Sequence, residues 1–155
     1  MQGDSNIIHL LNMLLADELT SADQYFVHSQ MYQNWGYRKL GERIEHERQE
    51  EMTHASKLIE RILFLGGVPN AASRNQLAIG QSIPEMLEND LTLEYKVAKA
   101  LREVMSACEK AHDYVTRDIL LTLLNDTERD HTHWLEQQVR LIKAVGLQNY
   151  LQSQM

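Results

Sequence analysis

The chain has 155 residues, the length of one domain with enough chain to bury a sizeable core. Lys and Arg number 15 against 22 Asp and Glu, a net charge of −7, which argues against a nucleic-acid binder and suits cations or plain solubility. Cys108 is the single cysteine, which excludes an intrachain disulfide and any cysteine-rich zinc or iron–sulfur site.

Only Pro69 and Pro84 and seven glycines interrupt the sequence, so long helices are expected. The start has no basic leader, and no apolar run approaches the roughly 18 to 20 residues of a membrane span. A soluble, cytoplasmic protein with no membrane partner is the expectation. Asp4 or Ser5 can cap a first helix running to about Asn34, with Ile7, Leu11, Leu14, Leu15, Ala22, Tyr25 and Phe26 at steps of three and four. After Trp35-Gly36, a second helix runs from about Arg38 to Leu65 and stops at Gly66-Gly67. Residues 66 to about 82 form a long connection. Ser82, Pro84 and Glu85 mark the start of a third helix that reaches about Ala111. A fourth runs from about Asp113 to Val145, and Leu147 to Gln152 forms a short fifth. Four long helices of about 42 to 48 Å follow. The short joints predict two antiparallel hairpins, and the middle connection is long enough to cross the bundle lengthwise. The fold class is all-α, one domain over residues 1–155.

The informative pattern is repeated. Glu18 is followed 33 residues on by Glu51, and His54 comes three later. Glu94 is followed 34 residues on by Glu128, and His131 comes three later. All six lie on apolar stripes. Glu18 lies with Leu11, Leu14 and Leu15, and Glu51 and His54 with Ile44, Glu47, Leu58 and Ile62. Glu94 lies with Leu87, Leu91 and Val97, and Glu128 and His131 with Leu121, Leu124, Leu135 and Ile142. An unpaired buried carboxylate costs several kcal/mol, and neighbouring ones repel. Two divalent cations resolve both problems, and this mixed carboxylate and imidazole set suits iron or manganese. One Glu-x-x-His alone is a weak signal; two, each with an upstream Glu at matching distance, are a strong one.

Several segments resemble the bacterioferritins and the related bacterial ferritins: Asp23-Gln24-Tyr25-Phe26, Asn34-Trp35-Gly36, Glu51-Met52-Thr53-His54-Ala55, the run from Glu60 to Leu65, the run from His112 to Asp118, Trp134-Leu135-Glu136, and the run from Gly146 to Gln152. The resemblance covers essentially the whole chain. It implies a ferritin-like four-helix bundle with one long crossover and a short C-terminal helix, assembled as a hollow shell of 24 subunits, homopolymeric or mixed with a related subunit. It implies iron storage and detoxification by a ferroxidase, in which a di-iron centre oxidises Fe²⁺ with O₂ or H₂O₂. It carries the metal ligands onto Glu18, Glu51, His54, Glu94, Glu128 and His131, with Glu51 and Glu128 bridging and Tyr25 beside the centre. It further implies an inner-surface iron site at His46 and Glu50, for which a solvated helix pair is the alternative. A ferredoxin-type reductant is the partner expected for iron release.

The chain departs from the bacterioferritin pattern in two respects. The segment between Asp118 and Glu128 is one residue longer than is typical, about 100° of helix rotation, so a π-bulge or a nearby shift must absorb it. The longer form resembles the haem-free relatives. Met52 matches the residue that ligates haem b from both sides of a two-fold dimer, yet Ala22, Asp23, Glu45 and Gln49 are smaller or more polar than the usual walls. Haem at subunit interfaces is the expectation, with a haem-free bacterial ferritin as the alternative and a di-iron oxygenase or peroxide reductase behind it. His9, His28, His112 and His133 have no partner pattern and read as surface or structural. Trp35 and Trp134 read as packing at helix ends, and Cys108 as a small buried hydrophobe.

Overall fold

The computed structural model describes all 155 residues. Helix α1 (Ser5–Asn34) is capped by Asp4, whose carboxylate accepts from the amides of Asn6 and Ile7. Helix α2 (Arg38–Phe64) returns beside it. Helix α3 (Ile83–Lys110) begins at Ser82, whose hydroxyl accepts from Glu85 N, while the Glu85 carboxylate reaches back to Gln81 N. The fourth rod is continuous but not uniform. Helix α4 (Tyr114–Asp126) passes into a π-helical segment (Thr127–Thr132) and then into α5 (His133–Val145). Gly146, at φ +85°, makes the left-handed turn into α6 (Leu147–Ser153).

The π segment is where the extra residue is absorbed, and it shifts the buried stripe. Leu120, Leu123 and Leu124 are buried upstream of it, Thr127 and His131 within it, and Leu135 and Gln138 downstream. Leu121, expected to face inward, is partly exposed instead. The wider turn changes which residue comes round to the core, so one unbroken 3.6-residue stripe does not describe this rod.

Two apolar clusters fill the bundle. One joins Leu11, Leu14, Leu58, Ile62, Val97, Leu101, Leu120 and Leu123, together with Cys108. The other joins Tyr25, Tyr32, Leu40, Ile44, Met86, Leu87, Leu135 and Tyr150. On every helix the sequence passes from one cluster to the other through buried polar residues: Glu18 on α1, Glu47, Glu51 and His54 on α2, Asp90 and Glu94 on α3, and Thr127 and His131 on the fourth rod. A polar layer therefore crosses the middle of the core.

The crossover, residues 66–82, climbs along α1. Its backbone amides are satisfied by α1 side chains in order: Asn70 N donates to Asn12 Oδ1, Asn75 N to Thr20 Oγ1, Ala78 N to Gln24 Oε1 and Gly80 N to His28 Nε2. This accounts for the buried polar face of α1. Asp90 completes the tie from α3, bonded to His28 Nδ1 at 2.9 Å and to Gln24 Nε2 at 2.8 Å. Gly80 lies so close to α3 that a Cβ there would meet Met86 N at 2.6 Å. No helix is long and apolar enough to cross a membrane.

Candidate metal centre

The polar layer brings five of the six expected ligands together. Glu18, Glu51, His54, Glu94 and His131 are all fully buried. His54 Nδ1 is 3.3 Å from Glu18 Oε2 and 3.7 Å from Glu51 Oε2. His131 Nδ1 is 2.8 Å from Glu51 Oε1 and 3.4 Å from Glu94 Oε1. The two imidazoles are nearly parallel, with ring centres 5.9 Å apart. Two three-residue groups result, Glu18–Glu51–His54 and Glu51–Glu94–His131, each with potential ligand atoms within 4.8 Å of one another. Glu51 belongs to both.

The helices place these groups by simple spacing. Glu51 and His54 are three apart on α2 and share a face, while Glu18 and Glu94 come from the facing stripes of α1 and α3. Tyr25 lies about two turns beyond Glu18 on α1 and donates its hydroxyl to Glu94 Oε1.

Glu128 is not part of the cluster. Its side chain is 43% exposed and accepts from Arg102 Nη2 at 2.6 Å. The physical reason is the π segment, which keeps His131 on the core side but turns Glu128 away from it. Asp126, just before the segment, approaches His54 Nε2 at 3.0 Å.

A third group lies on the far side of His131. Its Nε2 is 2.6 Å from both Glu47 Oε2 and Glu50 Oε2, and Asp130 stands close by. Arg43 ties this group together, donating to Glu47 at 2.7 Å and to Asp130 at 2.8 Å. His46 Nε2 pairs with the other oxygen of Glu50 at 2.8 Å, so the expected His46–Glu50 pair is connected through Glu50 to the buried centre. Glu47 was visible in the sequence as the residue four before Glu51 on the same stripe. Nothing in sequence spacing assigns roles to Asp126 and Asp130, because the π segment decides where they point.

The electrostatics are those of a site that holds protons when it holds no metal. Burial and the charge of Glu51 raise the Glu18 carboxyl well above the usual range. Burial and Glu94 push Glu51 upward too, but its close contacts with Glu18, His131 and His54 outweigh them and keep it low. Burial alone would lower His54, yet Glu18 and Glu51 raise it to about 11. His131 is raised in the same way, its four carboxylate neighbours overcoming burial. The bond from His131 holds the partly exposed Glu50 at about 2. Burial and then Glu94 raise Tyr25, so its hydroxyl stays a donor.

A proton network does not satisfy the layer. Glu18 Oε1, both oxygens of Glu51, Glu94 Oε2, Glu47 Oε2 and His131 Nδ1 are buried, and although some lie close to an imidazole or a carboxylate, none has a partner in hydrogen-bonding geometry. Unpartnered anionic oxygens facing one another in a core are what hard divalent cations neutralise.

The description "Ferritin-like domain" matches residues 8–145. The chain belongs to the ferritin-like family. Over its whole length it is 52% identical to a ferritin-like protein of Synechocystis sp. named bacterial ferritin, covering 99% of that relative. It is equally similar to one of the same name from Neisseria meningitidis, covering all of it. A relative from Mycolicibacterium paratuberculosis named bacterioferritin is 39% identical over 97% of this chain and 94% of its own. The ferritin-like fold read from the sequence is the observed one, with four rods, a long crossover and a short terminal helix.

Proposed function

We propose that the protein is an iron-storage ferroxidase that takes Fe²⁺ as substrate. Glu18, Glu51, His54, Glu94 and His131 hold two Fe²⁺ ions, and Glu51 is the carboxylate common to both. The observation that carries this reading is Glu51, buried in two ligand groups at once with neither oxygen hydrogen-bonded. Two ferrous ions held side by side can deliver two electrons together, reducing O₂ with two protons to H₂O₂, or H₂O₂ to water, and so limiting one-electron products. Tyr25 donates to Glu94 and keeps that carboxylate turned toward the centre. The Fe³⁺ product collects as a mineral inside a 24-subunit shell. Exposed apolar side chains at helix ends, among them Trp35, Leu63, Phe64, Tyr114 and Val115, suit burial between subunits. In the test, Fe²⁺ is added anaerobically to the whole protein and then exposed to air. Fast oxidation of two ions per chain, and iron retained by a large assembly through further additions, is expected. An 18.0 kDa monomer or a dimer in ultracentrifugation, or iron released as it is oxidised, would overturn the reading.

A second element of the reading is haem b at a two-fold contact between copies. Met52 is 44% exposed, and exposed Phe26 lies on the same α1–α2 flank, under the Arg48 guanidinium. The polar neighbours are occupied internally, Asp23 by Arg74 at 2.9 Å and Glu45 by Arg48 at 2.6 Å. A soft thioether with its acidic neighbours already paired fits haem iron, and thioether ligation favours its ferrous state. On haem reconstitution, the wild type should give a Soret band, Met52→His a changed ligand spectrum, and Met52→Leu little bound haem. Equal retention in wild type and Met52→Leu, or none in either, assigns Met52 to an ordinary subunit contact and the chain to the haem-free pattern.

A further inference from the structure

His54 stands between two sets of carboxylates. Nδ1 faces inward to Glu18 and Glu51, and Nε2 faces the last residue of α4, with Asp126 Oδ2 at 3.0 Å. His131 repeats the arrangement, with Nδ1 toward Glu51 and Glu94 and Nε2 toward Glu47 and Glu50. Each ring thus has a carboxylate on the nitrogen that points away from the centre. We propose that Asp126 is a positioning residue for the metal centre, holding His54 in the tautomer that turns a lone pair on Nδ1 inward. This rests on the reading of the centre as a site for two divalent cations.

The chemistry is that of the imidazole. A neutral ring carries one N–H and one lone pair, and a carboxylate can only accept. When the ring gives up one proton to admit a cation, Asp126 at Nε2 keeps the remaining N–H on that nitrogen, and the lone pair is on Nδ1. Without Asp126, the proton is free to reside on Nδ1, and the ring can turn about χ2. Asp126 can do this because of the π segment. Its side chain, 47% exposed, remains at the edge of the core beside α2, while Glu128, two residues later, is carried round to Arg102 on α3. The fourth rod therefore acts on the Glu18–Glu51–His54 side through Asp126 rather than by direct ligation from Glu128.

The test uses Co²⁺ alone, titrated into the intact protein and read by its visible ligand-field absorption. The variants are Asp126→Ala, Asp126→Asn and Glu128→Gln, each compared with wild type for thermal midpoint before titration. Wild type should bind two Co²⁺ per chain. Asp126→Ala should weaken one of the two sites by about 10- to 100-fold, change its spectrum and leave the other site intact. Asp126→Asn retains an acceptor oxygen for Nε2–H and should recover most of the lost affinity. Glu128→Gln should match wild type. Unchanged affinity and spectrum in Asp126→Ala would overturn the inference while leaving the two-cation reading standing. So would loss at that site in Glu128→Gln, which would make Glu128 the ligand. Loss of both sites in Asp126→Ala with a lowered thermal midpoint would mark Asp126 as structural only. Failure of the wild type to bind two Co²⁺ would overturn both readings.

Discussion

Glu51→Ala should abolish the fast phase of Fe²⁺ oxidation, lowering the initial rate by at least about 100-fold, because it takes a ligand from both metal groups at once. Even outer-sphere partners of a metal site are commonly worth 10- to 100-fold, and a shared ligand should exceed that. The shell should still form, since Glu51 lies in the interior of one chain and removing it relieves a crowded set of carboxylates. Glu128→Ala is the informative partner. Glu128 meets Arg102 at the surface, and an exposed pair contributes roughly 0 to 1 kcal/mol, so oxidation and stability should both stay near wild type. Stopped-flow absorbance during Fe²⁺ addition distinguishes the cases. A rate lost in Glu128→Ala and kept in Glu51→Ala would mean that the π segment moves when metal enters.

Loading the centre with a redox-inert cation should raise the thermal midpoint. A ligand at about 100 times its dissociation constant adds roughly 2.7 kcal/mol per site, and two sites in a domain of this size correspond to roughly 10 °C or more. The effect should shrink as pH falls. Glu18 and Glu51 raise metal-free His54 to about 11, so at neutral pH it holds a proton that a cation must displace, and burial and Glu51 raise Glu18, which disfavours its ionised form in the same sense. Binding should therefore release protons, measurable as a buffer-dependent heat, and weaken as acid competes. The metal-free protein behaves differently. His54, raised on folding, contributes stability that is full below its ordinary value near 6.5 and lost as pH rises through about 11. Glu51, lowered on folding, contributes above the ordinary carboxylate range and loses that contribution as pH falls through its lowered value. Calorimetric scans with and without Co²⁺ from acid to alkaline pH test both signs. A cation-induced rise that grows toward low pH would contradict them.

The rods and their ends were legible because the signals are local: Asp4 and Ser82 as caps, Gly66 and Gly146 as stops, and the apolar steps between them. Five residues of the candidate centre were legible for the same reason, since a side chain's face follows from its place on a regular helix. Glu128 was not. The sequence carries one residue too many in that stretch, but it does not say whether the wide turn falls before or after a given carboxylate. That choice belongs to the packing of Leu120, Leu124 and Leu135 against other helices. His28 was opaque for a related reason. Its partners, Asp90 and Gly80, are more than 50 residues away, and they meet it only once the crossover lies along α1.

The polar layer through the middle of the bundle also fixes the alignment of the helices. Four rods of leucine stripes alone would pack almost as well after sliding past one another by a turn, about 5.4 Å. Here such a slide would carry Glu18, Glu51 or Glu94 against Leu58, Leu87 or Leu101 in the flanking clusters, at several kcal/mol for each stranded carboxylate. The residues that make the core unfavourable in isolation thus allow it only one register. In the proposed shell, one fixed register would give every copy of the chain the same length and the same contact surfaces.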